Sequence, residues 1–121
     1  MASVNIVNVT SILPFTINGS VTTSLVDVID VPADKLYKVN TIIIANIDGT
    51  NSADVTIKAS TSNGSNYYNI ASTVAVPADS TLVVLDKNSS IYLDETDLLR
   101  VQASANSDLE YTISGEILDD A

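Results

Sequence analysis

The sequence predicts an all-β fold, an antiparallel β-sandwich of jelly-roll or immunoglobulin-like type in a single domain. Val, Ile and Thr are abundant, whereas the Ala, Glu, Lys and Leu periodicity of helices is missing. Turn signals containing Asn, Asp, Gly or Pro recur at roughly the 8–12-residue spacing of sandwiches and barrels. We assign residues 1–14 to an N-terminal arm or edge strand and residues 15–121 to the sandwich domain. Pro14 marks a break or an edge, because proline cannot donate to a strand ladder.

The composition excludes several classes of function. The 121 residues include 15 acidic and 5 basic side chains, a net charge of −10, with no His and no Cys. So negative a surface repels phosphate backbones and anionic lipid, and we expect neither nucleic acid nor a membrane as partner. A zinc site and a Ser-His or Cys-His nucleophile pair cannot be assembled without His or Cys. We therefore expect no cofactor and no enzymatic activity. The N-terminus lacks the basic region and apolar core of a signal peptide, which predicts synthesis in a cytosol.

The first predicted turn is at Asn18-Gly19, a type I′ hairpin signal because both residues tolerate a positive φ. Residues 21–31 follow as a strand. The apolar phase of this strand shifts between Val28 and Ile29, which predicts a β-bulge there.

Residues 35–47 form the central predicted strand. Its middle, residues 41–45, reads Thr-Ile-Ile-Ile-Ala and shows no alternation of polar and apolar side chains. Successive strand side chains point to opposite faces, so this run needs cover on both faces. Residues 82–85, Leu-Val-Val-Leu, form a second such run. The second face is covered either by the chain's own loops and arm or by another subunit, which would place an interface of a closed symmetric oligomer there.

Between these strands the sequence predicts corners and exposed turns. Val-Pro-Ala-Asp occurs at residues 31–34 and again at residues 76–79, and each copy predicts a corner between two strands. Asp48-Gly49 predicts a tight turn. Residues 54–60 alternate and predict a strand with one face on the core and the other in water. Residues 61–66 predict a solvent-exposed loop.

The C-terminal half predicts further strands at residues 67–76 and 91–93. Residues 99–105 and 109–117 alternate most clearly. We predict that these two segments form an antiparallel hairpin around residues 106–108, with its register fixed by the alternation.

An acidic cluster and a tyrosine pair are the candidate catalytic, metal-binding or ligand-binding residues of the sequence. Asp94, Glu95 and Asp97 are the densest acidic group, but a general acid/base pair or a calcium site needs carboxylates that converge in space. We interpret this segment as a solvated turn. Tyr67 and Tyr68 are candidates for sugar stacking or partner contact. Because adjacent strand residues point apart, one of the two is expected in the core and the other outside.

Three segments carry a family resemblance: residues 35–46, residues 76–87 and residues 91–105. With the Val-Pro-Ala corner and the Leu-Val-Val-Leu strand, they resemble small β-sandwich virion proteins of tailed bacteriophages, notably of marine and cyanobacterial phages. The resemblance covers about residues 26–117. It implies a non-enzymatic capsid decoration, or cement, protein on the outside of the phage head that stabilises contacts between major capsid proteins. It also implies location at the capsid surface, synthesis in the bacterial host cytoplasm, the major capsid protein as partner, and self-association as a homo-trimer or homo-dimer.

The alternative function is a tail- or fibre-associated receptor-binding module that uses residues 60–68 on a cell-surface carbohydrate. For either role we predict interface residues on the two apolar runs, the tyrosine pair and the N-terminal segment. They are Ile42, Ile43, Ile44, Leu82, Val83, Val84, Tyr67, Tyr68, Val4 and Ile6.

Overall fold

The computed structural model describes residues 4–119, which form nine β-strands in two antiparallel sheets. The strands are β1 (Ser11–Val21), β2 (Val26–Asp30), β3 (Lys35–Asn46), β4 (Ala53–Ser60), β5 (Tyr68–Val76), β6 (Thr81–Leu85), β7 (Ile91–Leu93), β8 (Leu98–Ala103) and β9 (Leu109–Asp119). Sheet 1 has the order β1-β9-β3-β6, with β7 also paired to β3, and sheet 2 has the order β2-β8-β4-β5. The predicted all-β sandwich is confirmed. In residues 4–119 no helix has the length and hydropathy to cross a membrane.

The hydrophobic core fills the space between the two sheets. It is built almost entirely from aliphatic side chains, many of them β-branched and therefore stiff at χ1. The largest side chains without solvent exposure are Val21, Val31, Val39, Ile42, Ile44, Val55, Ile57, Val76, Leu93, Leu99, Leu109 and Ile113. Strands from both sheets contribute, so the core holds the sheets together.

A bulge in β3 explains why the central strand shows no alternation. β3 pairs with β9 along its whole length, but Asn40 is an extra residue at which the register shifts. The bulge changes which residues face the core, from Val39 before it to Ile42 and Ile44 after it. The residues between and beyond these two isoleucines face the opposite side of sheet 1.

Both Val-Pro-Ala-Asp corners are confirmed. Residues 31–34 connect β2 to β3, and residues 77–80 connect β5 to β6. The aspartate of each corner has a positive φ, 65° at Asp34 and 58° at Asp79. Aspartate tolerates this left-handed conformation better than most residues, which explains its place in both corners.

The predicted hairpin turn at Asn18-Gly19 is wrong. Both residues lie inside β1 and pair with Thr112 and Tyr111 of β9. Glycine is present here because a Cβ would lie 3.2 Å from the Tyr111 ring. The predicted strand over residues 21–31 is correspondingly split, because β1 ends at Val21 and β2 begins at Val26. The bulge in β2 is confirmed by the register shift between Asp27 and Ile29.

The predicted C-terminal hairpin is also wrong. β8 pairs with β2 and β4 in sheet 2, whereas β9 pairs with β1 and β3 in sheet 1. Residues 104–108 therefore cross from one sheet to the other. Alternation shows which face of a strand is buried, and it is the same whether the next strand is a ladder partner or lies across the core.

Candidate interaction surfaces

The outer face of sheet 1 is defined by the register of its three longest strands. Its β9 residues alternate with core residues and are Glu110, Thr112, Ser114, Glu116 and Leu118. Opposite them lie Ala45, Ile43, Thr41, Lys38 and Leu36 on β3, and Ser20, Asn18, Thr16, Pro14 and Ile12 on β1. One end of this face is thus apolar across all three strands, while the middle carries small polar and charged side chains.

Residues 4–10, which we call the N-terminal strap, lie over the apolar end of this face. Val4 is buried against Leu36 and Leu118, and Val9 packs on the same cluster. The strap then turns through a 3₁₀ helix at Ile6–Asn8 and leads into β1. The chain itself therefore covers part of the outer face, which is one of the two alternatives considered for the second face of β3.

Beside the strap, apolar side chains remain in solvent. Ile6 and Ile12 are more than half exposed, Val7 is 85% exposed and Leu13 is 62% exposed. These four, which we call the N-terminal apolar patch, are among the ten exposed large hydrophobic residues of residues 4–119. Ile12 and Leu13 are successive residues of β1 and point to opposite faces of sheet 1, so the four side chains surround the start of this edge strand rather than lie on one face. Such a concentration of exposed apolar side chains over residues 6–13 indicates a contact surface.

The predicted interface residues fall into three groups. Ile42 and Ile44 have 0% exposure and lie in the chain's own core, so their assignment to an interface is wrong. The cause is the bulge at Asn40, which turns both side chains inward. Buried or half-buried positions are occupied by Val4, Leu82, Val84, Tyr67 and Ile43. Exposed positions are occupied by Ile6, Val83 and Tyr68.

The structure brings together only some of these side chains. Ile43 and Val83 are register partners on β3 and β6, so they lie side by side on the outer face of sheet 1. Val4 and Ile6 belong to the strap, at the other end of that face. Sequence reasoning missed Val7, Ile12 and Leu13, although the two consecutive apolar residues Ile12-Leu13 directly before Pro14-Phe15 were a readable signal.

The tyrosine pair lies at the start of β5. The Arg100 guanidinium carbon lies 4.0 Å from the centroid of the Tyr67 ring, and Arg100 Nε donates to Asp27 Oδ1 at 2.7 Å. This hydrogen bond to Asp27 raises the pKa of Arg100 above its usual value. Tyr67 is therefore held beneath Arg100 rather than in the core, and Tyr68 is 76% exposed. The prediction that one of the two lies in the core is wrong.

The acidic corner at residues 94–97 is held by its own hydrogen bonds. Asp97 is buried, and its Oδ2 accepts the backbone N–H of Asp94 at 2.8 Å. Glu95 Oε2 accepts the N–H of Asp34 at 2.8 Å, and Asp94 Oδ1 accepts the N–H of Val4 at 3.3 Å. Burial raises the pKa of Asp97. Within residues 4–119 no group of three or more His, Cys, Asp or Glu is placed to hold a metal ion. Glu95 thus joins this corner to the corner at residues 31–34, and Asp94 joins it to the strap.

Two shallow depressions lie on the surface, and the first has mostly polar walls. One, of about 260 Å³, is lined by Asn18, Gly19, Ser20, Glu110, Tyr111 and Thr112. The other, of about 210 Å³, is lined by Asp54, Thr56, Thr73, Gln102, Ala103 and Ser104. Both are smaller than the ~300–1,000 Å³ of most small-molecule sites. The more distinctive surfaces of this chain are thus the N-terminal apolar patch and the strand edges.

No protein-family model matches this sequence, and no curated protein is similar to it. Among solved structures, a Bacillus endospore appendage protein, from a family of disulfide-linked pili, aligns with a TM-score of 0.56 and 12% identity, covering 92% of this chain and 88% of the other. The Drosophila NLP core, studied for pentamer formation and histone binding, aligns with a TM-score of 0.48 and 11% identity, covering 84% and 96%. A pentameric capsid protein isolated from metagenomic phage sequences aligns with a TM-score of 0.42 and 15% identity, covering 87% and 62%. Identities this low show a shared fold at most, and the two lower TM-scores do not establish even that.

Proposed function

We propose that this chain is a non-enzymatic structural protein of a virion, specifically a capsid decoration protein. It binds the outside of the head, stabilises contacts between neighbouring major capsid proteins and associates with copies of itself. The observation that carries the proposal is the N-terminal apolar patch: Ile6, Val7, Ile12 and Leu13 stay exposed on a chain of net charge −10. A patch of this kind serves a protein partner. The sequence resemblance to phage virion proteins supplies the class of that partner.

The mechanism we propose is linkage between binding and assembly. A protein that binds the assembled lattice more tightly than free subunits stabilises the lattice by that difference in binding free energy. Burial of the N-terminal apolar patch against the capsid contributes about 25 cal/mol for each Å² of apolar surface removed from water. The strap holds Ile6 and Val7 beside sheet 1, because Val4 is buried against Leu36 and Leu118, and β1 carries Ile12 and Leu13.

The absence of cysteine distinguishes this chain from the Bacillus fold relative. That protein belongs to a family of disulfide-linked pili, whereas these 121 residues contain no cysteine. These residues therefore cannot form the disulfide links of that family, which agrees with the proposed attachment through an apolar surface.

The test is co-sedimentation with heads of the virus that carries this chain, prepared without it. Val7→Asp combined with Leu13→Asp places two charges in the N-terminal apolar patch. Ile47→Asp is the control, because Ile47 is also exposed but lies in the turn after β3. We expect wild type and the Ile47 variant to sediment with heads and the double variant to remain in the supernatant. Sedimentation of a folded double variant at the wild-type level would contradict the proposal.

A second candidate is the carbohydrate-binding, receptor-binding module. The exposure of Tyr68 beside the loop at residues 61–66 favours it, since an exposed aromatic ring is a stacking platform for a sugar. The test is binding of Tyr68→Ala to the host cell surface, with Tyr92→Ala, another exposed strand tyrosine, as control. This candidate predicts loss of cell binding for the first variant alone, whereas the decoration role predicts no cell binding by wild type.

A further inference from the structure

The edges of the two sheets differ in how well they are protected. Within residues 4–119, β2 is five residues long with a bulge, β5 has two register shifts, and β6 and β7 are short and separated by a 3₁₀ turn. β1 is different: its 11 residues pair with β9 without a register shift, from Ser11 to Val21. Short length, bulges, charges and proline are the usual means by which proteins prevent pairing at a sheet edge, and of these β1 has only Pro14, near its start. β1 is neither short nor bulged.

β1 also contains no charged residue, although the chain has 15 acidic and 5 basic side chains. Two copies of a chain with net charge −10 repel each other, so a contact between copies is favoured where charge is absent. An uncharged strand edge meets this condition. A second copy fits this edge in particular, because its own β1 is also uncharged and no charged β1 side chains would then oppose each other.

The inward side of β1 carries apolar side chains at the open margin of the sandwich. Phe15 and Ile17 pack on the core but are only half-buried, and Leu13 is more exposed. Phe15 also contacts the Tyr37 ring, with centroids 5.2 Å apart. A further strand at this edge would cover these side chains as well as satisfy the outward backbone groups of β1.

We propose that β1 pairs antiparallel with β1 of a second copy about a two-fold axis at Asn18, joining two copies of sheet 1 into one continuous sheet. The axis follows from the limits of the strand: Pro14 cannot donate to a ladder, and β1 ends at Val21. The pairing segment is therefore residues 15–21, whose midpoint is Asn18. This inference rests on the self-association included in the proposed function, and names the edge and register that produce it.

The pairing has specific consequences for neighbours across the axis. Residues equidistant from Asn18 lie opposite each other, so Thr16 faces Ser20 of the second copy and Ile17 faces its Gly19. Glycine has no side chain, which leaves room beside it for the branched Ile17. A two-fold contact of this kind uses the same surface on both copies and closes as a dimer.

Cysteine scanning tests the register, since the natural chain has no cysteine. Asn18→Cys is expected to form a disulfide-linked dimer under mild oxidation, because the residue on the axis faces its own copy at a distance near that of a disulfide. Thr16→Cys and Ser20→Cys are expected to cross-link when mixed with each other, and less when alone. Ser72→Cys, exposed on the edge strand β5, is the matched control. Cross-linking of Asn18→Cys no faster than this control would overturn the proposal.

Solution mass by light scattering provides the second readout. Thr16→Lys with Asn18→Lys changes two exposed side chains and places like charges across the proposed axis. We expect wild type to be a dimer and this variant to dimerise at least about tenfold more weakly, since like charges directly opposite each other destabilise strand pairing. Asn69→Lys with Ser72→Lys, at edge β5, is expected to remain dimeric. A monomeric wild type, or a folded dimeric β1 variant, would overturn the proposal.

These readouts are independent of head binding. A monomeric chain that still sediments with heads would refute the β1 pairing and leave the decoration role intact. A dimer with the expected cross-links that fails to sediment would support the β1 pairing and refute the decoration role.

Discussion

Replacement of Gly115 by Ala is expected to destabilise the central strand pair severely. Gly115 is buried on β9, opposite the bulge of β3. A Cβ at this position would lie 1.9 Å from the Lys38 carbonyl oxygen, 2.9 Å from the Lys38 carbonyl carbon and 3.1 Å from the Asn40 nitrogen. All three are backbone atoms, so no side-chain rotation relieves the overlap. The two strands must separate, or the bulge must rearrange.

The loss in free energy of unfolding depends on whether the added Cβ overlaps side-chain or backbone atoms. Overpacking a core costs about 1–3 kcal/mol when neighbouring side chains can shift. Backbone atoms shift less readily, so we expect Gly115→Ala to lower the free energy of unfolding by at least about 3 kcal/mol, from a total of about 5–15 kcal/mol for a typical domain.

Two other glycines are matched controls. At Gly19 the added Cβ would lie 3.2 Å from the Tyr111 ring, a side chain that can move, so we expect Gly19→Ala to cost under about 1 kcal/mol. At Gly49 the nearest atom is 3.5 Å away, an ordinary contact, and we expect a change within about 0.5 kcal/mol.

The assay is urea denaturation of wild type and the three variants, followed by circular dichroism and analysed with a common slope. The reasoning predicts that only Gly115→Ala is strongly destabilised or fails to fold. If Gly115→Ala unfolds within about 1 kcal/mol of wild type, then the bulge at Asn40 and the β3–β9 register are incorrect.

Three further outcomes are expected. Leu99→Ala leaves a cavity between the sheets and should lower the free energy of unfolding by about 2–5 kcal/mol in the same assay; a loss under about 1 kcal/mol would contradict its burial. Burial raises the pKa of Asp97, so the folded state binds the carboxyl proton more tightly than the unfolded chain does. The contribution of Asp97 to the free energy of unfolding is therefore greatest below the pKa of the unfolded chain. It falls as pH rises through the raised pKa of the folded state. Wild type should therefore lose stability relative to Asp97→Asn as pH rises above about 4, the usual pKa of an aspartate, and a constant difference across denaturation curves at several pH values would refute this. Tyr68→Ala should change the free energy of unfolding by no more than about 0.5 kcal/mol, because the ring is largely in solvent, and a greater loss would show that the ring packs on the fold.

Strand positions were predictable where one face is buried and the other is in water. Residues 53–60 and 98–103 form β4 and β8, in agreement with their alternation. The burial pattern of β4 differs from the prediction, because Thr56 and Ser60 lie on the face expected in water and are nevertheless buried. Thr56 Oγ1 accepts the N–H of Thr73 at 3.0 Å, and Ser60 Oγ accepts the N–H of Gly64 at 2.9 Å. Polar side chains can thus be buried against a neighbouring strand or loop whose backbone N–H they accept.

Sheet assignment and strand phase were not predictable, for two physical reasons. Alternation reports the buried face of a strand and not its partner, so it predicts a β8–β9 hairpin although the two strands belong to different sheets. A bulge shifts the alternation of core-facing and outward-facing side chains without requiring a particular residue type. The identity of Asn40 therefore does not predict that Ile42 and Ile44 face the core. The glycine of Asn18-Gly19 accommodates a neighbouring ring, which sequence alone does not distinguish from a turn.

The candidate contact surface was predicted only in part. The sequence pattern identifies Ile6 but not Val7, Ile12 and Leu13. Its strongest apolar signal is the run at residues 41–45, and Ile42 and Ile44 of that run fill the core. Exposure depends on where the strap lies relative to sheet 1. That position is fixed by packing of Val4 on Leu36 and Leu118, a contact between segments more than 30 residues apart.

Binding of the purified chain to undecorated heads, compared with binding to free major capsid protein at the same subunit concentration, tests the decoration role directly. We expect saturable binding to heads and much weaker binding to free subunits, because stabilisation of the lattice requires this difference. Absence of binding to heads, or equal affinity for free subunits, would contradict the claim that this chain is a capsid decoration protein.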